Sequence, residues 1–568
     1  MKKLIFVVAL LAAATVAFAS SQGEEGATGD VQLNAPGKYP VVLGDEPFEI
    51  RVMTGYNAME SQGKVDQAPF TEYLQDITNV KVNFTEIIEG SVFTERQNLI
   101  LASGDLPDVI MYPWGMSAQQ VYTYGRQGTL IALNDVAENN MPDFIKEINT
   151  YPVAKGQTYF PDGNIYALPN WEASCFHCTM SAKMWVYKPW ADKLGHWMPE
   201  TTEEFYQMLK DFKEKDPNGN GKADEIPLMG ATTGWNAIPL TFLMNSFIYT
   251  QTGTYGGFLD RDAGKLSFVA NTNEWREGLR YITRLVDEGL MAPDTFVQKV
   301  EQLKAVAENP DVALLGAAPA GWYGVILANG AGTGRFADFQ PIAPLRGPAG
   351  ARNSRYQPQA VRYHTKITKA APRPDIIAQW ANWFFQDWIE HNKYAGRFMQ
   401  EGEHWRWATD ADRAKGVVSR DGLPAITISL KVQTYGADRP DTGWTRTGIS
   451  WAPHGDGGMP LEWADDPSKQ EWRLMVATRD LMQPYKPAEG FMPPNLIIDS
   501  SVEDELADLN EAIASATGVV ENWSTQFIIG QRDINSDAEW NDYLDELDRA
   551  GVDRYTKIWQ DTLTNAGY

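Results

Sequence analysis

Phe48-Glu49-Ile50-Arg51-Val52-Met53 alternates apolar and polar side chains, the period-two pattern of a strand with a buried face. Beyond Met53 the period switches back and forth. Phe70, Tyr73, Leu74 and Ile77 share one helical face, and Val80 to Ile87 returns to period two. Phe93 to Ala102 is helical again, until Ser103-Gly104-Asp105-Leu106-Pro107 stops it. Asp108 to Met111 is then a short apolar strand. Strands alternating with helices predict a sheet covered by helices, with substantial parallel pairing, in an α/β chain.

Further along, residues 164–169 read as extended and Met184 to Tyr187 as a strand. A helix is expected over Thr202 to Lys213, capped by Thr201 or Thr202, and another over Glu274 to Val286. Val312 to Leu315 reads as a buried strand, and Ile376 to Ile389 as a helix dense in Trp and Phe. From Val502 onward the chain is mostly helical and acidic.

With 568 residues, the length suits three or four domain-sized units or two large lobes. A 43% apolar and 22% charged composition is that of a folded globular chain. A net charge of −25 disfavours nucleic acid and anionic membrane surfaces, both of which reward Lys and Arg. Lys2 and Lys3 precede the apolar run Leu4 to Ala14, and Ala17-Phe18-Ala19 supplies small residues for a cut before Ser20. Residues 1–19 therefore read as a secretory signal, against the alternative of an uncleaved anchor. Residues 20–40, rich in Gly, Ser, Glu and Ala, read as a flexible leader.

Asp216-Pro217-Asn218-Gly219-Asn220-Gly221-Lys222-Ala223-Asp224-Glu225 carries side-chain oxygens at positions 1, 3, 5, 9 and 10, with Gly221 at position 6. Hard cations take six to eight oxygens, and this spacing wraps a loop around one ion, most simply calcium in a structural role. Lys222 would contribute its carbonyl. Pro227 occupies position 12, where a bidentate Glu is usual, and Glu225 would supply that carboxylate instead. The plainer alternative is an Asx-turn loop holding no metal.

Cys175 and Cys178 flank Phe176-His177 and are the only cysteines. The exported setting favours a local disulfide. Free thiols, or redox or metal chemistry, stay open, although zinc would need two further ligands and there is no second cysteine pair.

Positive signs of catalysis are missing. There is no Gly-x-Ser-x-Gly elbow, no His-Glu-x-x-His and no Gly-x-x-x-x-Gly-Lys loop. Asp105 and Asp108 would be a glycosidase pair only if both faced one cleft, and capping is the simpler use of Asp105. Instead, 20 Trp stand out, many at Gly/Pro-rich junctions. A Trp held in a loop offers a flat apolar face suited to the C–H face of a sugar ring, whereas helical Trp380, Trp383 and Trp388 read as core.

Several stretches together resemble a known family. They are Leu101 to Asp108, Gly163 to Pro169, Trp185-Val186-Tyr187-Lys188 through Leu194-Gly195, Pro199 to Phe205, Asp216 to Pro227, and Phe527 to Gly530 with Trp540, Tyr543 and Gly551. The chain resembles the extracellular solute-binding proteins of ABC transporters, in the family 1 sugar-binding group. The similarity is strongest to its calcium-containing branch of alginate-binding and LipO-like proteins. Unlike many relatives, this chain has no cysteine at the cut, which points to a free periplasmic or secreted protein and not a lipoprotein.

The resemblance implies a periplasmic binding protein-like II fold: two α/β lobes with a hinge and an interlobe cleft. The first lobe would take about 41–168 and 317–390, the second 169–316 and 391–568. The implied function is capture of an oligosaccharide for delivery to ABC transporter permease subunits, by a monomer without enzymatic activity. A peptide or other polar solute, or an exported glycoside hydrolase or lyase, are the alternatives. Trp171 and Trp322, beside the expected crossings, are the first candidates for the cleft, followed by Trp235, Trp405 and Trp114, with Glu403 and Arg406 as polar contacts. In the family the loop equivalent to Asp216, Asn218, Asn220, Lys222, Asp224 and Glu225 binds calcium.

Overall fold

A computed structural model describes residues 31–56, 63–172, 175–251, 257–327, 334–386, 405–419, 423–429, 444, 447–452, 458, 470–488 and 490–568. The expected signal segment, most of the leader, Glu403 and the side chain of Trp405 lie outside the described residues. In chain order the strands are β1 (Phe48–Tyr56), β2 (Val80–Glu89), β3 (Val109–Met111), β4 (Leu168–Glu172), β5 (Lys183–Tyr187), β6 (Ile226–Leu228), β7 (Leu259–Asp262), β8 (Lys265–Phe268), β9 (Leu315–Ala320), β10 (Phe339–Ile342), β11 (Arg362–Ile367), β12 (Trp405–Trp407), β13 (Thr427–Ser429) and β14 (Trp451–Ala452).

They form two main sheets, each with its own core. The first has the order β14-β4-β11-β3-β1-β2. Within it β1 runs parallel to both its neighbours, β2 and β3, and the helices Pro69–Thr78 and Gly90–Ser103 make the connections. The helix Pro69–Thr78 starts at its proline, buries Phe70, Leu74 and Thr78 one turn apart, and stops at Asn79, whose φ of 52° is left-handed. β1 begins with the expected alternation, then buries Met53 and Thr54 together, because a central strand is covered on both faces. Asp108, almost wholly buried, accepts from the Arg51 backbone N–H at 2.9 Å and pairs with its guanidinium at 3.0 Å. That carboxylate ties β1 to β3, and Asp105 is exposed in the preceding turn, so the two do not form a catalytic pair.

The second sheet has the order β10-β5-β9-β6. The helix Thr202–Glu214 packs on it, started by a reciprocal cap in which Thr201 Oγ1 accepts from Glu204 N–H and Glu204 accepts from Thr201 N–H. The strand expected at Val312 to Leu315 runs instead from Leu315 to Ala320. Its small residues let the helix approach closely: a Cβ on Gly316 would lie 2.5 Å from the Phe212 ring. The expected return to the first lobe at residue 317 therefore falls inside β9 of the second sheet. β10 also pairs there, antiparallel to β5, and the strand that returns to the first sheet is β11. Likewise β4, expected to open the second lobe at 169, pairs with β11 and β14 of the first sheet.

The helices Glu503–Ala514, Val519–Ile528, Asp537–Ala550 and Val552–Asn565 complete the second core with Trp523, Phe527, Tyr543 and Trp559. Arg276, on the helix Asn273–Asp287, reaches Asp537 at 2.7 Å and the Ile534 carbonyl at 3.1 Å. Gln560 closes the β7–β8 hairpin, accepting from Leu266 N–H at 2.8 Å and donating to the Gly264 carbonyl at 2.9 Å. Among the described residues no helix is long and apolar enough to cross a membrane.

Candidate functional site

Among the described residues two connections join a strand of one main sheet to a strand of the other, β4 to β5 and β10 to β11, and they meet. Gln357 N–H donates to the Thr179 carbonyl at 2.7 Å, and the Gln359 amide donates to the Cys175 carbonyl at 3.1 Å. Aromatic and charged side chains gather on both sides of this junction.

On the first-sheet side, Trp114 follows β3 and is 42% exposed. The Arg362 guanidinium, at the start of β11, lies 5.2 Å from the Trp114 ring centre and 3.6 Å from Glu172 at the end of β4. Because β11 runs antiparallel between β3 and β4, its first residue meets their last ones. This is the carboxyl edge of the sheet, where ligands of open α/β sheets bind. Local sequence gives no reason to single out Glu172 and Arg362; only the strand order unites them with Trp114.

On the second-sheet side, Trp235 lies between Gly234 (φ 99°) and Asn236 (φ 54°), a turn that leaves it 41% exposed. Its carbonyl accepts from Gly321 N–H at 2.7 Å, and a Cβ on Gly321 would come within 2.4 Å of its ring. Asn236 donates to Ser181 Oγ at 2.8 Å, tying this turn to the crossing segment. Trp322 is half-buried and packs on Tyr323 at 5.4 Å, so it borders the same loop.

Two other expected contacts fall elsewhere. Trp171 is 3% exposed, with its ring against Tyr151 at 5.1 Å and Trp451 at 5.3 Å. It belongs to the first core, because its strand is sandwiched between β11 and β14. Arg406, on β12, is held by both oxygens of Asp412 at 2.7 Å, and this pairing keeps the Asp412 carboxyl well below the usual range. That pair ties β12 to the helix Asp410–Ala414. Trp405 is placed on β12 through its backbone alone.

One fully buried lysine anchors each side. Lys366 donates to the Tyr112 and Tyr363 carbonyls, both at 3.0 Å, beneath the segment carrying Trp114. Lys183 donates to the Met180 carbonyl at 2.7 Å and the His177 carbonyl at 3.4 Å. Burial pushes each ammonium down to about 7. Cys175 and Cys178 form a disulfide, which settles their pairing in the structure.

The oxygen-rich loop joins the helix Thr202–Glu214 to β6. Asp216, itself left-handed at φ 44°, accepts from the N–H groups of Gly219, Asn220 and Gly221 at 2.9–3.1 Å. Asn218 Oδ1 accepts from Asn220 N–H, and Asn220 Oδ1 from Lys222 N–H. These bonds curl the loop back on itself. Amides of Asn218 and Asn220 hold the Asp224 carboxyl below its usual range. Glu225 Oε2 is buried and without a hydrogen-bond partner, an orphaned anionic oxygen of the kind a cation satisfies. The donor set fits a hard divalent ion.

The fold and this junction define a class of binding protein, and the chain belongs to the family of bacterial extracellular solute-binding proteins, whose profile matches residues 57–387. Among curated proteins it is 26% identical over 506 residues to the fructooligosaccharide ABC transporter substrate-binding protein FusA of Streptococcus pneumoniae, covering 86% of this chain and 85% of FusA. FusA has been solved in complex with kestose (TM-score 0.71, 21% identity, 91% of this chain and 99% of that one). It has also been solved as an EF-hand mutant with fructo-nystose (TM-score 0.70, 21% identity, the same coverage). The alginate-binding protein AlgQ2, solved without calcium ion, is similar at a TM-score of 0.61 and 18% identity, over 92% of this chain and 99% of that one. These likenesses show the fold, two α/β lobes.

Proposed function

We propose that this solute-binding protein captures an oligosaccharide between its lobes and delivers it to the permease subunits of an ABC importer. The observation that carries the reading is the placement of one exposed tryptophan on each side of the crossing junction, Trp114 and Trp235. Flat apolar rings at two lobe edges suit the C–H faces of successive sugar units, while Glu172 and Arg362 offer hydrogen bonds to hydroxyls. A ligand that touches both sides only when the lobes close favours the closed state, which a permease then distinguishes from the open one. The proposed hinge is the pair of crossing segments, 175–182 and 343–361. Trp322 borders the second-lobe wall, and Trp405 and Glu403 are kept as candidates on their sequence alone.

The loop Asp216 to Glu225 is assigned to calcium. The carboxylates of Asp216, Asp224 and Glu225, the amide oxygens of Asn218 and Asn220 and the Lys222 carbonyl would hold it. The orphaned Glu225 oxygen and the EF-hand of FusA support this. Its role is structural, since every donor comes from one short loop. The protein acts as an exported monomer, periplasmic or secreted, and releases its ligand chemically unchanged.

The test is a thermal-shift screen against oligosaccharides and peptides, with product analysis of each hit. A ligand at about 100 times its dissociation constant stabilises by about 2.7 kcal/mol. A glycan hit recovered intact supports the reading. A glycan consumed makes the protein a hydrolase or lyase, and a peptide hit with silent glycans removes the sugar assignment.

A further inference from the structure

The turn Cys175-Phe176-His177-Cys178 lies in the crossing segment proposed as part of the hinge, and it gathers two sulfurs and an imidazole there. His177 Nε2 lies 3.8 Å from Cys175 Sγ and 3.9 Å from Cys178 Sγ. All three donor atoms fall within 4.8 Å of one another. For a thiolate and an imidazole bound to one zinc at about 2.3 and 2.0 Å, the sulfur–nitrogen edge is about 3.5–3.7 Å. The sulfur–nitrogen edges are therefore already near the length a shared ion demands, and only the disulfide stands in the way.

We propose that the reduced form of this turn is a binding site for a thiophilic d10 cation, zinc(II) or copper(I), held by Cys175, His177 and Cys178. Reduction breaks the S–S bond with two electrons and two protons from a dithiol, which leaves as its own disulfide. The cation then displaces the two thiol protons and forms two metal–sulfur bonds. Copper(I) is satisfied by three such donors, and zinc completes four with water.

The surroundings suit this occupant. Lys183, wholly buried, donates to two main-chain carbonyls, and one of these belongs to His177. These bonds hold the backbone of the turn at His177 and Met180. The turn is also held in place without the disulfide. Cys175 N–H donates to the Glu172 carbonyl at 3.0 Å, Cys178 N–H to the Cys175 carbonyl at 3.1 Å, and Gln359 to the Cys175 carbonyl at 3.1 Å. His177 is 8% exposed, with the Trp235 ring 6.1 Å away. An ion there would lie between the crossing and the wall assigned to the glycan, although the inference stands whether or not the ligand is a sugar.

The experiment reduces the full chain with a phosphine, removes the reductant without air, and titrates cobalt(II) as a spectroscopic stand-in for zinc. One equivalent should bind with sulfur-to-cobalt charge-transfer absorption, be displaced by zinc, and be absent from the oxidised protein. The Cys175→Ser/Cys178→Ser double variant should lose the band, and so should reduced wild type alkylated with iodoacetamide, which leaves the sequence unchanged. His177→Ala should weaken binding about tenfold or more. No band in the reduced protein, a band that survives loss or alkylation of both cysteines, or an unchanged affinity in His177→Ala would each overturn the three-donor site.

Discussion

Trp171 and Trp235 both stand in loop-like sequence, the first after Pro169-Asn170 and the second between Gly234 and Asn236, yet one is 3% and the other 41% exposed. Their backbones make the difference. Trp171 occupies a strand with a partner on each side, so its side chain must enter a covered face. Trp235 is flanked by two left-handed residues that turn the chain outward, and Gly321 leaves room for its ring. An aromatic residue becomes available to a ligand when its neighbours break the ladder, and becomes core when they extend it.

That contrast can be broken by mutation. Trp171→Ala should cost about 3–5 kcal/mol of stability in chemical denaturation, as large core truncations do, and leave ligand affinity within about twofold once folded. A large loss of affinity with normal stability would move Trp171 into the cleft.

Calcium removal comes next. Chelation should lower the melting temperature, with a stabilisation of about 2.7 kcal/mol restored when calcium is returned at about 100 times its dissociation constant. Asp216→Ala and Glu225→Gln should abolish the response, and elemental analysis should fall from about one calcium per chain to none. A response unchanged in both variants would remove the ion from this loop.

The buried lysines behave as core charges and carry a pH signature. Each titrates near 7 when folded and at about 10.4 when unfolded. Between these values the unfolded chain holds the extra proton, so their penalty is full below pH 7 and fades as pH rises. Stability should climb over that window by up to about 1.4 kcal/mol per pH unit for each lysine. Lys183→Met and Lys366→Met should each flatten the climb, as read from denaturation midpoints across pH; unaltered slopes would mean both ammonium groups stay charged.

Trp235→Ala should weaken ligand binding about tenfold, about 1.4 kcal/mol, with little change in melting temperature, as isothermal titration would show. Arg362→Gln should be smaller still, about threefold, because its charge is already shared with Glu172 and the Trp114 ring. If Arg362→Gln proved the more damaging of the two, the walls would be recognising charge more than ring faces.

Legibility followed distance along the chain. The Asp216–Glu225 turn could be read because its Asn, Asp and Gly residues lie in one stretch, and the β1–β2–β3 unit because its periods switch cleanly from two to 3.6 and back. The position of β9 was missed because Gly316-Ala317-Ala318-Pro319-Ala320 has the composition of a loop; its strand identity comes from β5 on one side and β6 on the other. The expected boundary at 317 lies inside that strand for the same reason. The meeting of Trp114, Glu172 and Arg362 is a product of strand order alone, and no local pattern announces it. Nor does sequence distinguish the buried Lys183 and Lys366 from solvated lysines, since their partners are main-chain carbonyls.

The Gln560 clamp on the β7–β8 hairpin has a consequence for synthesis. A chain made from its first residue onward finishes that hairpin and the helix Asn273–Asp287 long before residues 502–563 exist. During that interval the apolar faces that Trp523, Phe527, Tyr543 and Trp559 will cover have nothing to cover them. The first core, whose buried members end at Trp451, has a shorter wait. A nascent chain is therefore expected to fold its two cores in sequence, and the second should remain a holdase substrate until the last helix arrives.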